Sequence, residues 1–291
     1  CKFINNQNKH ERNNFNQGGA LQIGYSKSVG NISLKIQGCE FKGNKSPNGK
    51  GGALSISVNY NILIADCIFE DNLANGEGGA IYFNYNILIP EPLQADSITI
   101  TNCQFKSNKG SNGNAIFFEQ DNAEQIKLDL TKCTFVNNGE DLSKSMIVSF
   151  CGEVIFEDND VQYSDKTKTC SAFNLSVSKS LSLSRSNFTN CITSLSSSIL
   201  LTNQKDDSTT SIKSCNFINC KSSNEVIVIS GGSAEVDDCV VSFDNNNIDS
   251  ACCAIKFLSK GLTCKNSKFV KTYSNGPIEY NQPNGKTDPI L

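Results

Sequence analysis

Through most of this chain the apolar residues fall at alternate positions, in runs too short for helices. Leu34 and Ile36, Ile62 and Ile64, Ile98 and Ile100, Leu128 and Leu130, Val154 and Phe156, and Leu181 and Leu183 each enclose a single residue. A period of two is that of a strand with one buried face. After each pair comes a two-residue corner, such as Gln37-Gly38 or Ala65-Asp66, and then a Cys-x-Phe box. Aligned on that box, the first slot reads Cys1, Cys39, Cys67, Cys103, Cys133, Asn159, Ser186, Cys215, Cys239 and Ser267, at intervals of 24 to 38 residues. The aromatic slot reads Phe3, Phe41, Phe69, Phe105, Phe135, Val161, Phe188, Phe217, Val241 and Phe269, which marks it as core.

A third strand opens at a Gly-Gly-Ala box, most plainly at 18–20, 51–53 and 78–80. Its inward slot is read as Leu21, Leu54, Ile81, Ile116, Ile147, Phe173, Leu200, Ile227, Ile255 and Ile278, followed two residues on by Ile23, Ile56, Phe83, Phe118, Ser149, Leu175, Thr202, Ile229, Phe257 and Tyr280. A fixed period of three short strands predicts an all-β, right-handed parallel β-helix solenoid of about ten coils, a rod roughly 45 to 50 Å long at the strand spacing. One coil cannot bury its own core face, so equivalent slots must stack as continuous ladders. The expected domain is a single β-helix over 1–280, read as a fragment of a longer protein, with 281–291 a polar tail or linker. The glycines predict a corner that needs positive φ or close backbone approach.

Composition sharpens the fold and excludes some functions. The 291 residues are 38% apolar, with 17 Phe, no Trp, one Met and one His, which suits a thin elongated core. Twenty-six basic against 29 acidic residues leave a net charge of −3 and no basic patch, so nucleic acid is not an expected partner. No apolar run approaches the roughly 20 residues of a membrane span.

The 14 Cys invite a disulfide reading and an extracellular setting. Seven of them share one slot beside core Phe, where free thiols pack as small hydrophobes, and no C-x-x-C pair suggests zinc. Cys191 and Cys220 lie three residues after the Phe slot, where Asn6, Asn44, Asn72, Asn108 and Asn138 stand in earlier coils. Asn at that place predicts an inward ladder of stacked amides. For the two cysteines, a bridge and continued thiol packing both stay open.

The Gly-Gly-Ala-Leu/Ile boxes and the Phe-x-x-Asn boxes, from Phe3-Asn6 to Phe135-Asn138, resemble the repeats of chlamydial polymorphic outer membrane proteins, within the pectin-lyase-like β-helix group. The likeness is strong over 1–138 and degenerate but in register to about 280. It implies surface display and adhesion, and an extracellular or cell-surface location, and it identifies no binding residue.

Many such helices cleave acidic polysaccharides, so catalysis is a live alternative. His10 lies in a hydrophilic run, Asp237-Asp238 occupies a polar corner, and Asp206-Asp207 lies in a loop short of the oxygen ligands Ca²⁺ requires. No catalytic residue, metal site or cofactor is expected. The expected role is a non-catalytic adhesin that binds a glycan or protein on another cell, with a spacer rod or, third, a polysaccharide lyase or hydrolase as alternatives. Flanking domains of the same chain are also expected. Length excesses between the Gly-Gly-Ala strand and the next Cys box fall at 24–31, 84–97 and 119–125, at one equivalent corner. The 84–97 segment carries Ile87, Leu88, Ile89, Pro90 and Leu93 and is the candidate partner loop. Sequons at Asn31, Asn174 and Asn187 are candidate glycan acceptors, whereas the sequon at Asn44 belongs to the inward ladder.

Overall fold

The computed structural model describes residues 1–8, 18–24, 33–57, 61–84, 97–119, 126–141, 144–165, 169–194, 197–222, 225–242, 253–258, 261–270 and 278–280. Among them all regular structure is β, every strand pairing is parallel, and the chain winds as a parallel β-helix. Each Cys-x-Phe box supplies one three-residue strand to a single ten-stranded sheet, from Lys2–Ile4 to Lys268–Val270. Register holds the aromatic slots over one another, Phe3 on Phe41, Phe41 on Phe69 and onward to Val241 on Phe269.

The strands of the other two faces form one continuous sheet. In the first half each face has its own strands, for example Ile81–Asn84 and Ser97–Thr101. Further on, Ser145–Glu157 and Ser171–Ser184 run unbroken from one face into the next, with a register shift between Cys151 and Glu153. A bulge of this kind lets one strand turn a corner without a loop.

The corners explain much of the polar sequence. Left-handed residues bracket the short strands: Gly38, Asp66, Asn102, Lys132, Asp158, Arg185, Ser214, Asp238 and Asn266 precede them, and Asn5, Gly43, Asp71, Ser107, Asn137, Asn190 and Asn219 follow, with φ between 45° and 64°. Asn and Asp tolerate this region better than other side chains, and glycine better still. At the Gly-Gly-Ala box the two glycines have separate reasons. Gly51 and Gly78 have φ of 73° and 71°. On Gly52 a Cβ would run into the carbonyl oxygen of Gly79 in the next turn.

Vertical ladders fill the interior. Phe3, Phe41, Phe69, Phe105 and Phe135 stack with ring centroids 4.8 to 4.9 Å apart and planes within 6°. Each such contact is worth about 0.5–1.5 kcal/mol beyond the area it buries. Val161 would leave a gap, which Phe156 fills from another face, 6.1 Å from Phe135 and 5.9 Å from Phe188.

The amide ladder forms as expected. Nδ2 of Asn6, Asn44, Asn72 and Asn108 each donates at 2.9 Å to Oδ1 of the next Asn, ending at Asn138. The backbone N–H of each donor residue adds a second bond to the same oxygen, at 3.0 to 3.1 Å. Beyond Asn138 the column changes: Tyr163 donates its hydroxyl to the Asn138 carbonyl, and Cys191 and Cys220 follow as free, fully buried thiols.

One expected register is corrected. Ile199, not Leu200, stacks between Phe173 and Ile227, and Leu201, not Thr202, lies below Leu175. Leu200 faces outward with Asn174 and Val228. That turn has no Gly-Gly-Ala anchor; Ser198 takes the Ala slot and donates its hydroxyl to the carbonyls of Cys191 and Lys221. A one-residue slip inverts every side chain of a strand, so the misplacement moves the whole face.

Candidate functional site

The corner with the length excesses is built from aligned strand ends. Asn84 pairs in register with Ser57 on one side and Glu119 on the other, so segments leaving there depart from one line along the rod. Ile87, Leu88, Ile89, Pro90 and Leu93 lie outside the described residues, as do Asn31 and His10.

Beside that line sits a polar cluster that the sequence reading missed. Lys50, from the turn before Gly51, lies 4.8 Å above the Tyr82 ring centroid, and its Nζ reaches Tyr82 Oη at 3.1 Å, Glu119 Oε2 at 2.9 Å and Glu77 Oε2 at 3.3 Å. Tyr82 points away from the core yet is fully buried. A cation held over a desolvated ring gains about 1–2 kcal/mol. The signal was available in the alternation, because Tyr82 and Phe117 occupy outward slots where polar residues belong.

The outer face of the ten-stranded sheet changes character along its length. Its early turns carry a charge zipper, Lys2 to Glu40 at 2.9 Å and Glu70 held between Lys42 at 2.6 Å and Lys106 at 2.9 Å. Hydrogen bonds from those two ammonium groups hold the Glu70 carboxyl below its usual range. In later turns the same face is nearly uncharged, with Asn216 donating to Asn187 at 2.8 Å. Asn187 is exposed on this sheet and Asn174 is half-buried, whereas Asn44 is 0% exposed with its amide committed to the ladder.

The residues weighed for catalysis fall into corners and pairs. Asp238 is left-handed and accepts from Ser214, and Asp237 accepts from Asn266 at 2.9 Å. Asp206 and Asp207 are exposed in a turn. Arg185 bonds Glu157 and Asp158 of the preceding turn. Hydrogen bonds from Lys213 and Lys265 hold Glu235 down to about 2, so it stays ionised.

Among the described residues two carboxyls are raised by burial, Asp129 and Asp160, but they stand on different sheets. An acid and base pair must converge on one bond, and these do not. No group of three or more metal-ligating side chains occurs among the described residues. No helix there is long and apolar enough to cross a membrane, which leaves strand-spanning barrels unaddressed.

Twelve of the cysteines, among them Cys39, Cys67, Cys103, Cys133, Cys215 and Cys239 of the repeated slot, are free thiols. They do more than fill space. Cys39 N–H donates to Cys67 Sγ at 3.5 Å and Cys67 N–H to Cys103 Sγ at 3.4 Å, while each thiol donates back to a carbonyl two residues earlier, Cys67 to Ala65 at 3.1 Å and Cys103 to Thr101 at 3.2 Å. The slot therefore requires an acceptor. Asn159 Oδ1 takes the Cys133 N–H, Ser186 Oγ the Asn159 N–H and Ser267 Oγ the Cys239 N–H. Burial pushes the Cys151 and Cys170 thiols up to about 12, far from the reactive thiolate form.

Comparison with known proteins agrees with the ladders. The Chlamydia polymorphic membrane protein repeat family matches residues 66–84, which run from the corner Asp66 through Cys-x-Phe, the ladder Asn72 and Gly-Gly-Ala to Asn84. No curated protein and no solved structure matches the chain. Together the repeat and the parallel winding make this a β-helix repeat protein similar to the polymorphic membrane proteins.

Proposed function

We propose that this β-helix of polymorphic-membrane-protein-like repeats is a surface-displayed, non-catalytic adhesin module that engages a glycan or protein on another cell through the segments leaving its Asn84–Glu119 corner. The observation that carries the reading is the asymmetry of the rod. The length excesses 24–31, 84–97 and 119–125 all leave one corner, while charges on the strand faces pair locally. A regular scaffold with variable segments at one edge is how rigid repeats present binding surfaces. The repeat type supports cell-surface display.

Glycans on Asn174 and Asn187 fit the same reading, since both side chains lie away from the core and Asn187 is open to solvent. The test is retention of the whole chain on a panel of glycans and cell-surface proteins, with the supernatant assayed for released sugar. Retention without product that disappears on deletion of 84–97 supports the adhesin. Retention that survives deletion moves the contact off the 84–97 segment. Released sugar favours a polysaccharide-cleaving enzyme, and neither binding nor product favours a spacer rod, for which the regular turns beyond Cys133 are the argument.

A further inference from the structure

Cys191 and Cys220 occupy successive turns of the column that begins as the amide ladder, and both are fully buried. Register places one on the other. Thr189 pairs with Ile218 on one side of them and Ile192 with Lys221 on the other, and the Lys221 N–H donates to Cys191 O at 3.1 Å. Neighbouring strands lie about 4.8 Å apart, inside the Cα separation of roughly 4.4–6.8 Å that a disulfide spans. Both side chains face the same interior, and a hydrogen bond with the Cys220 thiol, together with burial, raises the Cys191 thiol above its usual range.

The sulfurs of the repeated Cys slot are held more tightly than this pair. Cys67, Cys103, Cys215 and Cys239 each donate to the carbonyl two residues back at 3.1 to 3.3 Å. Cys67 and Cys103 also accept a backbone N–H from the preceding turn, at 3.5 and 3.4 Å. A bridge in that slot would break those bonds. Cys191 reaches Thr189 O only at 3.9 Å, and Cys220 reaches Ile218 O at 3.8 Å and Phe188 O at 3.4 Å, so joining the two forfeits only long, weak donor bonds. A third thiol near them, Cys170, is engaged elsewhere, its sulfur 2.7 Å from Tyr163 Oη and 3.3 Å from Asn138 O.

We propose that Cys191 and Cys220 are a redox pair, joined by a disulfide that staples two successive turns when the chain folds in the presence of a small-molecule disulfide. One thiolate of the pair attacks a sulfur of oxidised glutathione, the S–S bond there breaks, and one glutathione thiol leaves. The partner thiolate then attacks the protein sulfur of the mixed disulfide and expels the second glutathione thiol. Two protein thiols are oxidised, one glutathione disulfide is reduced to two thiols, and the two protons pass to those thiols. The staple sits beside the turn whose third strand lacks the Gly-Gly-Ala anchor, where the Ser198 hydroxyl already ties Cys191 O to Lys221 O. Because the thiolate is the attacking form and both sulfurs are buried, exchange is fast while the chain is open and slow once it has folded. This chemistry is independent of adhesion by the corner segments.

The experiment refolds the whole chain from denaturant in a glutathione redox buffer, blocks the remaining thiols with N-ethylmaleimide in denaturant, and maps disulfides in the unreduced peptides. The peptides holding Cys191 and Cys220 should be joined, with Cys67, Cys103, Cys215 and Cys239 alkylated. Already folded protein placed in the same buffer should gain the bridge roughly tenfold more slowly. The bridged form should melt roughly 5–10 °C above the reduced form, a shift that Cys220→Ala abolishes and Cys239→Ala keeps. In reducing buffer the pair stays as two free thiols, and Cys191→Ala there loses a sulfur and no bridge. Alkylation of both Cys191 and Cys220 from either starting state, or bridging of Cys191 to Cys170 or of Cys215 to Cys239 ahead of this pair, would overturn the proposal, as would a bridge that leaves the melting temperature unchanged.

Discussion

The turns before Asn138 and those after it carry the same three strands by different means. In the first region the ring and amide columns are homogeneous: Phe stacks on Phe, Asn bonds to Asn, and separate strands meet at a corner from which segments depart. In the second, Tyr163 and two thiols replace the amides, Phe156 stands in for a missing ring, and strands such as Ser171–Ser184 pass the corner without a break. The fold thus tolerates loss of ladder identity where unbroken strands supply backbone continuity. The first region depends more on its side-chain columns, and the variants below test that dependence.

The largest effect is expected at the ring column. Phe105→Ala removes a fully buried ring with stacked neighbours on both sides and should cost about 3–5 kcal/mol in denaturant unfolding. Next, Asn72→Ala leaves the buried Asn44 backbone N–H without its acceptor and removes one bond each from Phe41 O, Asn108 Oδ1 and Asn44 Nδ2, and it should cost about 3 kcal/mol. Cys191→Ala, in the same column of the second region, deletes one sulfur and should cost only about 1–2 kcal/mol. Equal losses at the two positions would erase the contrast.

How far this was legible depended on whether a signal lay within one strand. Alternation and the Cys-x-Phe box exposed the strands, and the run of Asn three residues past Phe exposed the amide ladder. Compensation across the core was hidden, because nothing at Val161 announces that Phe156 will fill its space. The register at Ile199 was hidden for want of the Gly-Gly anchor. The acceptor role of the Cys slot was readable, since Asn159, Ser186 and Ser267 share hydrogen-bonding capacity rather than hydrophobicity with cysteine. At the candidate site the polar corners were recognised, whereas the Lys50 cluster joins three turns and follows from no single stretch of sequence.

A second cysteine position tests that acceptor role. Cys103→Val keeps the volume but deprives the Cys67 N–H of its partner, and should cost about 1–3 kcal/mol, whereas Cys103→Ser, which keeps an acceptor, should cost less than Val in the same unfolding experiment. A purely hydrophobic slot would reverse the order.

The smallest effect concerns Asp129, whose Oδ1 is buried without a partner and whose pKa burial raises. A carboxyl raised in the folded state holds its proton more tightly there than when unfolded. Stability is therefore lost as pH climbs from the unfolded to the folded pKa, and it stays lost above. The variant Asp129→Asn carries no such charge, so a small gain in melting temperature over the native chain should appear at neutral pH and vanish in acid. A gain that persists in acid would assign the effect to something other than ionisation.

The central claim is that vertical side-chain ladders couple successive turns in the first region, and amide hydrogen exchange compared between the native chain and Asn72→Ala tests it most directly. Protection should fall in peptides containing Asn44 and Asn108, the ladder neighbours above and below, and stay unchanged around Asn187–Thr189 and Asn216–Ile218. A change confined to the peptide containing position 72, or one spread evenly to the last turns, would contradict it.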